Sequence, residues 1–455
     1  MLSVLRNRTY RRLFTAQVVA LAGTGLATVA LSLLAYDLAG ADASAVLGTA
    51  LAIKMIASVG IAPVIGAFAD RVSRRALLVA MDLTRAAAAL ALPFVTEVWQ
   101  VYVLILLLQA ASAAFTPTFQ ATVPDVLPEE RDYTRALSLS RLAYDLENLL
   151  SPALAAALLT LVPSGLLFTG TAAGFLASAA LVGSVLLPRP EPVERTGGAY
   201  AKAAHGTRLF LATPRLRALL ALDLVVAAGG AMVLVNTVVV VREVLGRSAA
   251  DVALALGAYG AGSMAVALLL PRLLDRVGDR AVLLPAALVT AGVLALLPAG
   301  TAASPGPWSW PALLAAWSLL GAACSAVLTP GGRLLRRSAG GSDLPAVFAA
   351  RFSLSHGCWL LTYPLAGWTA AHGGLPLAAG SLSAVALLAA VAAARLWPRA
   401  DPAELEHVHA ELAPDHPHLT GTGRRHVHDY RIDALHPRWP AAALTARPRS
   451  PRNAA

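Results

Sequence analysis

Lysine is almost missing from this chain. It occurs only at Lys54 and Lys202, while arginine, alanine, glycine and proline abound, a bias that fits a GC-rich bacterial genome. Charge of either sign is also scarce: 14% of the 455 residues are charged and 57% are hydrophobic. A soluble domain carries about 25% charged residues, so this composition excludes a soluble globular enzyme. Cysteine is limited to Cys324 and Cys358, both in apolar runs, which excludes a disulfide framework and a cysteine metal site. No Gly-x-x-x-x-Gly-Lys-Ser/Thr loop is present, so ATP-driven pumping by this chain is not expected. No nucleophile triad or metal-enzyme spacing stands out, and no enzymatic activity or bound cofactor is expected. The apolar run after Arg12 is too long for a signal peptide and lacks a small-residue cleavage site, so no cleavable leader is expected.

Long apolar runs are what the chain does have. About 20 apolar residues cross a bilayer as a helix. Runs of that kind predict spans at 13–36, 44–67, 76–95, 99–121, 136–160 and 165–187, then at 217–241, 249–271, 281–298, 309–329, 346–369 and 376–396. The expected fold class is an all-α membrane protein: twelve transmembrane helices in two pseudo-symmetric six-helix bundles, with both termini cytoplasmic. The expected units are a bundle over 1–187, a cytoplasmic linker over 188–215, a bundle over 216–396 and a polar tail over 397–455. The formal charge of +10 does not point to nucleic acid, because the arginines sit in short loops and at the ends of apolar runs. Each proposed inner loop carries two or more arginines, and the outer loops carry none besides Arg242 and Arg247, as the positive-inside rule expects.

The turn between the second and third runs reads Gly66-Ala67-Phe68-Ala69-Asp70-Arg71-Val72-Ser73-Arg74-Arg75. A related turn, Pro271-Arg272-Leu273-Leu274-Asp275-Arg276-Val277-Gly278-Asp279-Arg280, recurs about 205 residues later. Both share Asp-Arg-Val, a small residue, an arginine two positions on and a following apolar run. A repeated charged turn points to a chain of two similar halves and hence to a transporter.

The first turn resembles the signature loop of the major facilitator superfamily, Gly-x-x-x-Asp-Arg-x-Gly-Arg-Arg. Gly66, Asp70, Arg71, Arg74 and Arg75 match, and Ser73 stands where the family usually has glycine. The resemblance covers residues 1–396. It implies that Asp70, Arg71 and Arg75 help latch the cytoplasmic side shut. Gly66 and Arg74 belong to the same motif, and Asp275, Arg276 and Arg280 are the counterparts in the second half.

Charges inside membrane helices are costly and usually face a cavity or a partner. The densest set is in the fifth run: Arg141, Asp145, Glu147 and Asn148, with Arg141 and Asp145 four apart on one face and Asn148 continuing it. Lys54, Asp223, Arg351 and His356 complete the candidates. Arg351 sits near the start of the eleventh run much as Arg141 does near that of the fifth. Proton exchange needs a carboxylate protonated in one state and bare in the other, and Asp145 and Glu147 fit best. Lys54 stands between packing and transport, and a lone His356 reads first as a hydrogen-bond partner. Asp82 and Arg85, three apart, read as a structural pair.

Exporters of the superfamily often carry Gly-Pro-x-x-Gly-Gly in the fifth helix. Ser151-Pro152-Ala153-Leu154-Ala155-Ala156 resembles it with the glycines gone but small residues kept, which still permits close helix approach and leans toward export. The turn Pro124–Arg131 resembles the branch of enterobactin and macrolide exporters. The tail holds His-x-His three times: His407 with His409, His416 with His418, and His426 with His428. Imidazoles suit Zn, Ni, Co and Cu, and the tail resembles those of nickel-resistance exporters of the same branch. The other reading is a polar tail, disordered or docked on the inner face.

The expected function is a proton-coupled exporter of small hydrophobic or amphipathic molecules, drug- or siderophore-like, working by alternating access in the bacterial inner membrane. Its expected partners are the substrate, protons and the bilayer, with no nucleic acid, and a monomer is expected. Two other readings stand beside it: efflux of divalent Ni, Co or Zn with a metal-binding tail, and a non-transporting membrane sensor or scaffold.

Overall fold

In hydrocarbon every backbone N–H and C=O must be satisfied within its own segment, so long apolar runs become helices. The computed structural model describes residues 2–39, 49, 53–61, 64, 72–159, 162–163, 165–187, 199–302, 306–340, 342–399, 401, 404–408, 418–419, 425–433, 435–436 and 439. After a 3-10 turn come helices α1 (Arg8–Ala39), α2 (Arg74–Ala91), α3 (Val98–Val126), α4 (Glu130–Leu159) and α5 (Gly165–Gly183). Then follow α6 (Ala199–Ala212), α7 (Pro214–Val239), α8 (Ala249–Leu274), α9 (Asp279–Ala302), α10 (Ser309–Leu328), α11 (Gly331–Ser338) and α12 (Leu344–Leu396). Among the described residues, eight helices are long and apolar enough to cross a membrane. The last of these is two helices joined at Gly374, where φ is 73°, and that break falls between the predicted eleventh and twelfth spans. Residues 53–61 are helical within the predicted second span, whose remainder lies largely outside the described residues.

Local chemistry sets several helix ends. Ser73 is extended (φ −59°, ψ 134°), and its Oγ accepts the Ala76 N–H at the start of α2. The family's glycine is therefore not needed for a positive φ here, and serine supplies an N-cap instead. Ser248 and Asp251 form a reciprocal capping box at the start of α8.

Within the first half α1 packs on α5 and α4, and α2 on α3 and α5. Within the second half α7 packs on α12, α8 on α10, and α9 on α10 and α12. The halves meet where α4 packs on α8 and α3 on α12. The Ser353 hydroxyl of α12 also donates to the Val59 carbonyl at 2.5 Å. The stretch 188–215 contains α6, whose His205 Nε2 lies 2.9 Å from Asp343 Oδ1 at the start of α12.

Helix contact in a membrane relies on small residues that let backbones approach, and the α8–α10 pair shows this. A Cβ on Gly262 would strike the Ser318 carbonyl, and one on Gly321 would strike that of Tyr259. Gly260 in the same helix has open space around its α-carbon. Gly262→Val is therefore expected to destabilise the protein by at least about 1–3 kcal/mol of overpacking, while Gly260→Val leaves the fold intact. Thermal unfolding in detergent, followed by monodispersity, checks both.

The tail adds the sole sheet among the described residues, an antiparallel hairpin of β1 (Glu404–Val408) and β2 (Arg425–Asp429). His407 faces His426 across it. The hairpin is docked: Leu405, Tyr430 and Ile432 join the core of the second half alongside Trp397. Burial pushes the Tyr430 phenol above its usual pKa, so the hairpin core holds a neutral ring at physiological pH.

Candidate functional site

The arginine-rich end of the bundle is closed by bonds between the halves. Arg333, just after α10, donates to Glu130 Oε1 at 2.5 Å and to Thr134 Oγ1 at 3.2 Å, both at the start of α4. Arg336 donates to the Pro128 carbonyl. Arg131 meets Asp275 at 3.4 Å, with side chains 67% and 38% exposed, so that pair contributes at most about 1 kcal/mol. Arg333 is only 13% exposed and also lies 3.5 Å from Asp279. Arg337 shares Asp279 at 3.5 Å. In the second copy of the charged turn, the buried carboxylate is thus Asp279 rather than Asp275.

The expected latch divides accordingly. Gly66, Asp70 and Arg71 lie outside the described residues. Arg74 is buried and donates to Asp125 and, at 3.2 Å, to the Ala121 carbonyl, so it ties α2 to α3 inside one half. Arg75 and Arg276 are exposed. Arg280 donates to the Ala394 carbonyl at 3.3 Å, inside the second half. Of the candidates named from sequence, Asp275 is the one seen across the interface, and Arg333 and Arg336 carry more of the closure. Because a charge-assisted hydrogen bond contributes about 1.5–3 kcal/mol and 1.4 kcal/mol is a tenfold shift in an equilibrium, Arg333→Ala should open this end measurably. Maleimide labelling of a cysteine placed at Thr134 should accelerate about tenfold. The native Cys324 and Cys358 are buried.

Beneath this closure lies a cavity of about 230 Å³ between the halves. Gln17, Arg141 and Tyr144 line it from the first half, and Asp223, Arg351 and Trp359 from the second. One helical turn on α4 places Arg141 Nη2 2.7 Å from Asp145 Oδ1. Across the interface, Ser263 of α8 donates its hydroxyl to Asp145 Oδ2 at 2.6 Å and accepts from Arg141 at 3.0 and 3.2 Å. The three side chains form a closed knot joining α4 to α8. Opposite, Arg351 grips Asp223 with two bonds, Nη2 to Oδ1 at 2.9 Å and Nε to Oδ2 at 3.2 Å, the bidentate geometry that favours arginine. Arg141 and Arg351 thus play parallel parts, as the pseudo-repeat implies, one with a carboxylate on its own helix and one with a carboxylate on α7.

Glu147 and Lys54 lie within electrostatic reach of each other, and Lys54 and Asp223 both act on His356. His356 donates from Nδ1 to its own Phe352 carbonyl at 2.7 Å, its ring 4.1 Å from the Phe352 ring, which is the satisfied-partner reading. Asn148 continues α4, with its side chain outside the described atoms. Asp82 and Arg85 are paired inside the first half and neither lines the cavity. Sequence reasoning missed Ser263, because a serine in an apolar run carries no signal of its own.

The tail assembles a second constellation. His407, His418, His426 and His428 present ring nitrogens that all lie within 4.8 Å of one another. His436 joins them, its Nε2 2.9 Å from that of His407, while His409 and His416 lie outside the described residues.

A sequence model described as Major Facilitator Superfamily matches residues 13–246 and 220–439. A stretch of 147 residues, 32% of this chain, is 26% identical to an uncharacterized MFS-type transporter, YfiS of Bacillus subtilis (strain 168), and spans about a third of that relative, 34%. Among solved structures the human organic anion transporter MFSD10 (TETRAN) superposes with a TM-score of 0.72 at 14% identity, covering 85% of this chain and 99% of that one. A bacterial homologue of the iron transporter ferroportin in an outward-facing state gives 0.69 at 14% identity over 85% and 99%. The transporter FucP in an outward conformation gives 0.67 at 16% identity over 86% and 98%. At these identities the likeness is one of fold.

Proposed function

This chain belongs to the Major Facilitator Superfamily, and we propose that it is a proton-coupled exporter of small hydrophobic or amphipathic molecules in a bacterial cytoplasmic membrane. Membership makes it a multi-pass secondary transporter that works by alternating access rather than an enzyme. In this reading the halves 1–187 and 216–396 rock about the cavity, joined by 188–215, and a monomer suffices.

One observation carries the proton coupling. Asp145 is buried and bridges the halves, accepting from Arg141 on its own helix and Ser263 on the other half. Rocking must remake the α4–α8 contact, so the free energy of that step depends on whether the carboxylate is bare or protonated. Protonation removes the charge that Arg141 holds and turns an acceptor facing Ser263 into a donor. A group whose protonation differs between two conformations couples proton flow to their exchange.

The cavity wall supports the substrate class. Its charges are already paired with each other, and Phe119, Phe348, Phe352 and Trp359 supply aromatic surface, which suits an apolar or amphipathic guest. Metal efflux is less well supported, since the metal-spaced group among the described residues lies on the tail and not in the cavity. Purified protein in liposomes with an imposed pH gradient tests the reading against a panel of amphipathic dyes and siderophore-like compounds. Concentrative movement of at least one is expected, and if none moves the exporter assignment fails and a sensor or scaffold role takes its place.

A further inference from the structure

We propose that the folded tail is a binding site for one divalent transition-metal ion of the zinc class, built from the imidazoles of His407, His418, His426 and His428 with His436 beside them, and that the ion braces the hairpin against the closed inner end.

The site follows from strand geometry. Side chains alternate across a strand with period two, so His-x-His places both rings on one face. Within the hairpin His407 stands opposite His426, and Leu405 opposite His428, which puts three imidazoles on that face. His418 comes from the connecting segment and meets them, its ring centroid 4.7 Å from that of His428 and 4.9 Å from that of His426. His407, His426 and His436 are buried, so the rings turn toward one another rather than toward water.

The outer partners fix which nitrogen faces the centre. His407 donates Nδ1–H to the Leu405 carbonyl at 3.0 Å, and His428 donates Nδ1–H to the Asp429 carbonyl at 2.8 Å. His436 donates Nδ1–H to the Asp433 carboxylate at 2.8 Å. A carbonyl or carboxylate can only accept, so in the neutral form of each of these rings Nε2 is the nitrogen able to ligate an ion at the centre. That is how metal-binding histidines are oriented by their outer partners. These nitrogens converge: Nε2 of His407 and His436 lie 2.9 Å apart, and Nε2 of His428 and His418 lie 3.1 Å apart. An all-imidazole set suits zinc, cobalt, nickel or copper, and a tetrahedral ion with metal–nitrogen bonds of about 2.0–2.1 Å holds its ligands about 3.3 Å apart. Side-chain rotation brings the present spacings to that value, opening the 3.1 Å pair and closing those of up to 4.8 Å.

The hairpin's position gives the ion a consequence. Its anchor Asp401 meets Arg215 at 3.4 Å and Arg337 at 3.8 Å, and Trp439 lies under Arg215 at 5.0 Å. Asp429 and Arg431 line the same cleft as Arg333 and Glu130, the pair that shuts the inner end. A loaded site stiffens the surface on which that closure rests.

The test uses the full chain, purified through a tag free of histidine and stripped with a chelator. Zn²⁺ titration should show one ion per chain, and Co²⁺ should give the visible absorption of a tetrahedral site. His407→Ala/His426→Ala should weaken binding at least 100-fold, Asp433→Ala about 10–100-fold, and His372→Ala not at all. Saturating Zn²⁺ should slow maleimide labelling of Thr134→Cys severalfold in the otherwise wild-type chain and leave it unchanged when the double substitution is added. A wild-type chain that binds no ion, held instead by shared protons, overturns the proposal, as does binding that survives the double variant. Labelling that ignores Zn²⁺ in wild type removes the bracing role. Should the double variant aggregate, X-ray absorption at the zinc edge of wild type decides: a shell of four imidazoles supports the site, and a shell of water and carboxylate oxygens overturns it.

Discussion

Asp145→Asn should transport without concentrating. One proton exchanged per substrate against a gradient of one pH unit supplies about 1.4 kcal/mol, enough for a tenfold concentration ratio. In liposomes the wild-type protein is expected to approach that ratio, and Asp145→Asn to stop at unity while still exchanging labelled for unlabelled substrate. Asparagine keeps the size of the side chain and can still accept from Ser263, which lies 2.6 Å from the native carboxylate. It cannot gain or lose a proton. Ser263→Ala gives the complementary result: the carboxylate stays but its bond across the interface is lost, so coupling should survive while the rate changes. An accumulation ratio near ten in Asp145→Asn would remove Asp145 from the proton path and turn attention to Glu147, whose neighbour is Lys54.

These expectations rest on features that were unequally legible in the sequence. The spans that the described residues show were legible because a bilayer imposes a length, and a run of about 20 apolar residues has few other uses. The break at Gly374 fell in the short gap between two such runs. The Arg141–Asp145 pair was legible because four residues on one helix is a local spacing. Ser263, Asp223 with Arg351, and Glu130 with Arg333 join residues more than 100 positions apart, and no local pattern announces such partners. The charged turn is plain in the sequence, yet only Asp275 of its second copy reaches the other half, through Arg131, while Asp279 holds Arg333 and Arg337 within its own half, because packing and not position in the motif decides which carboxylate an arginine meets. The tail shows the same limit. Its His-x-His spacing is plain, but His436, eight residues beyond His428, enters the cluster through a turn held by Asp433.

The largest stability effect should come from a pair that does not line the cavity. Asp82 and Arg85 lie three apart on α2, both buried, with the guanidinium 4.1 Å from the Phe115 ring centroid and 4.5 Å from that of Phe175. Asp82→Ala leaves Arg85 charged, buried and without its carboxylate, a change that costs about 3–5 kcal/mol. The variant should yield little monodisperse protein and unfold well below wild type in detergent. Removing the second charge should reverse most of this, because a buried ion pair can be replaced by apolar side chains at little net cost. Asp82→Ala/Arg85→Leu is therefore expected to recover stability to within about 1–2 kcal/mol of wild type, the remainder being the lost cation–π contact of about 0.5–2 kcal/mol. Its transport should match wild type, since neither residue lines the cavity between the halves. A double variant that folds but no longer transports would move this pair from scaffold to mechanism, and one no more stable than Asp82→Ala would show that the guanidinium matters for its packing rather than its charge.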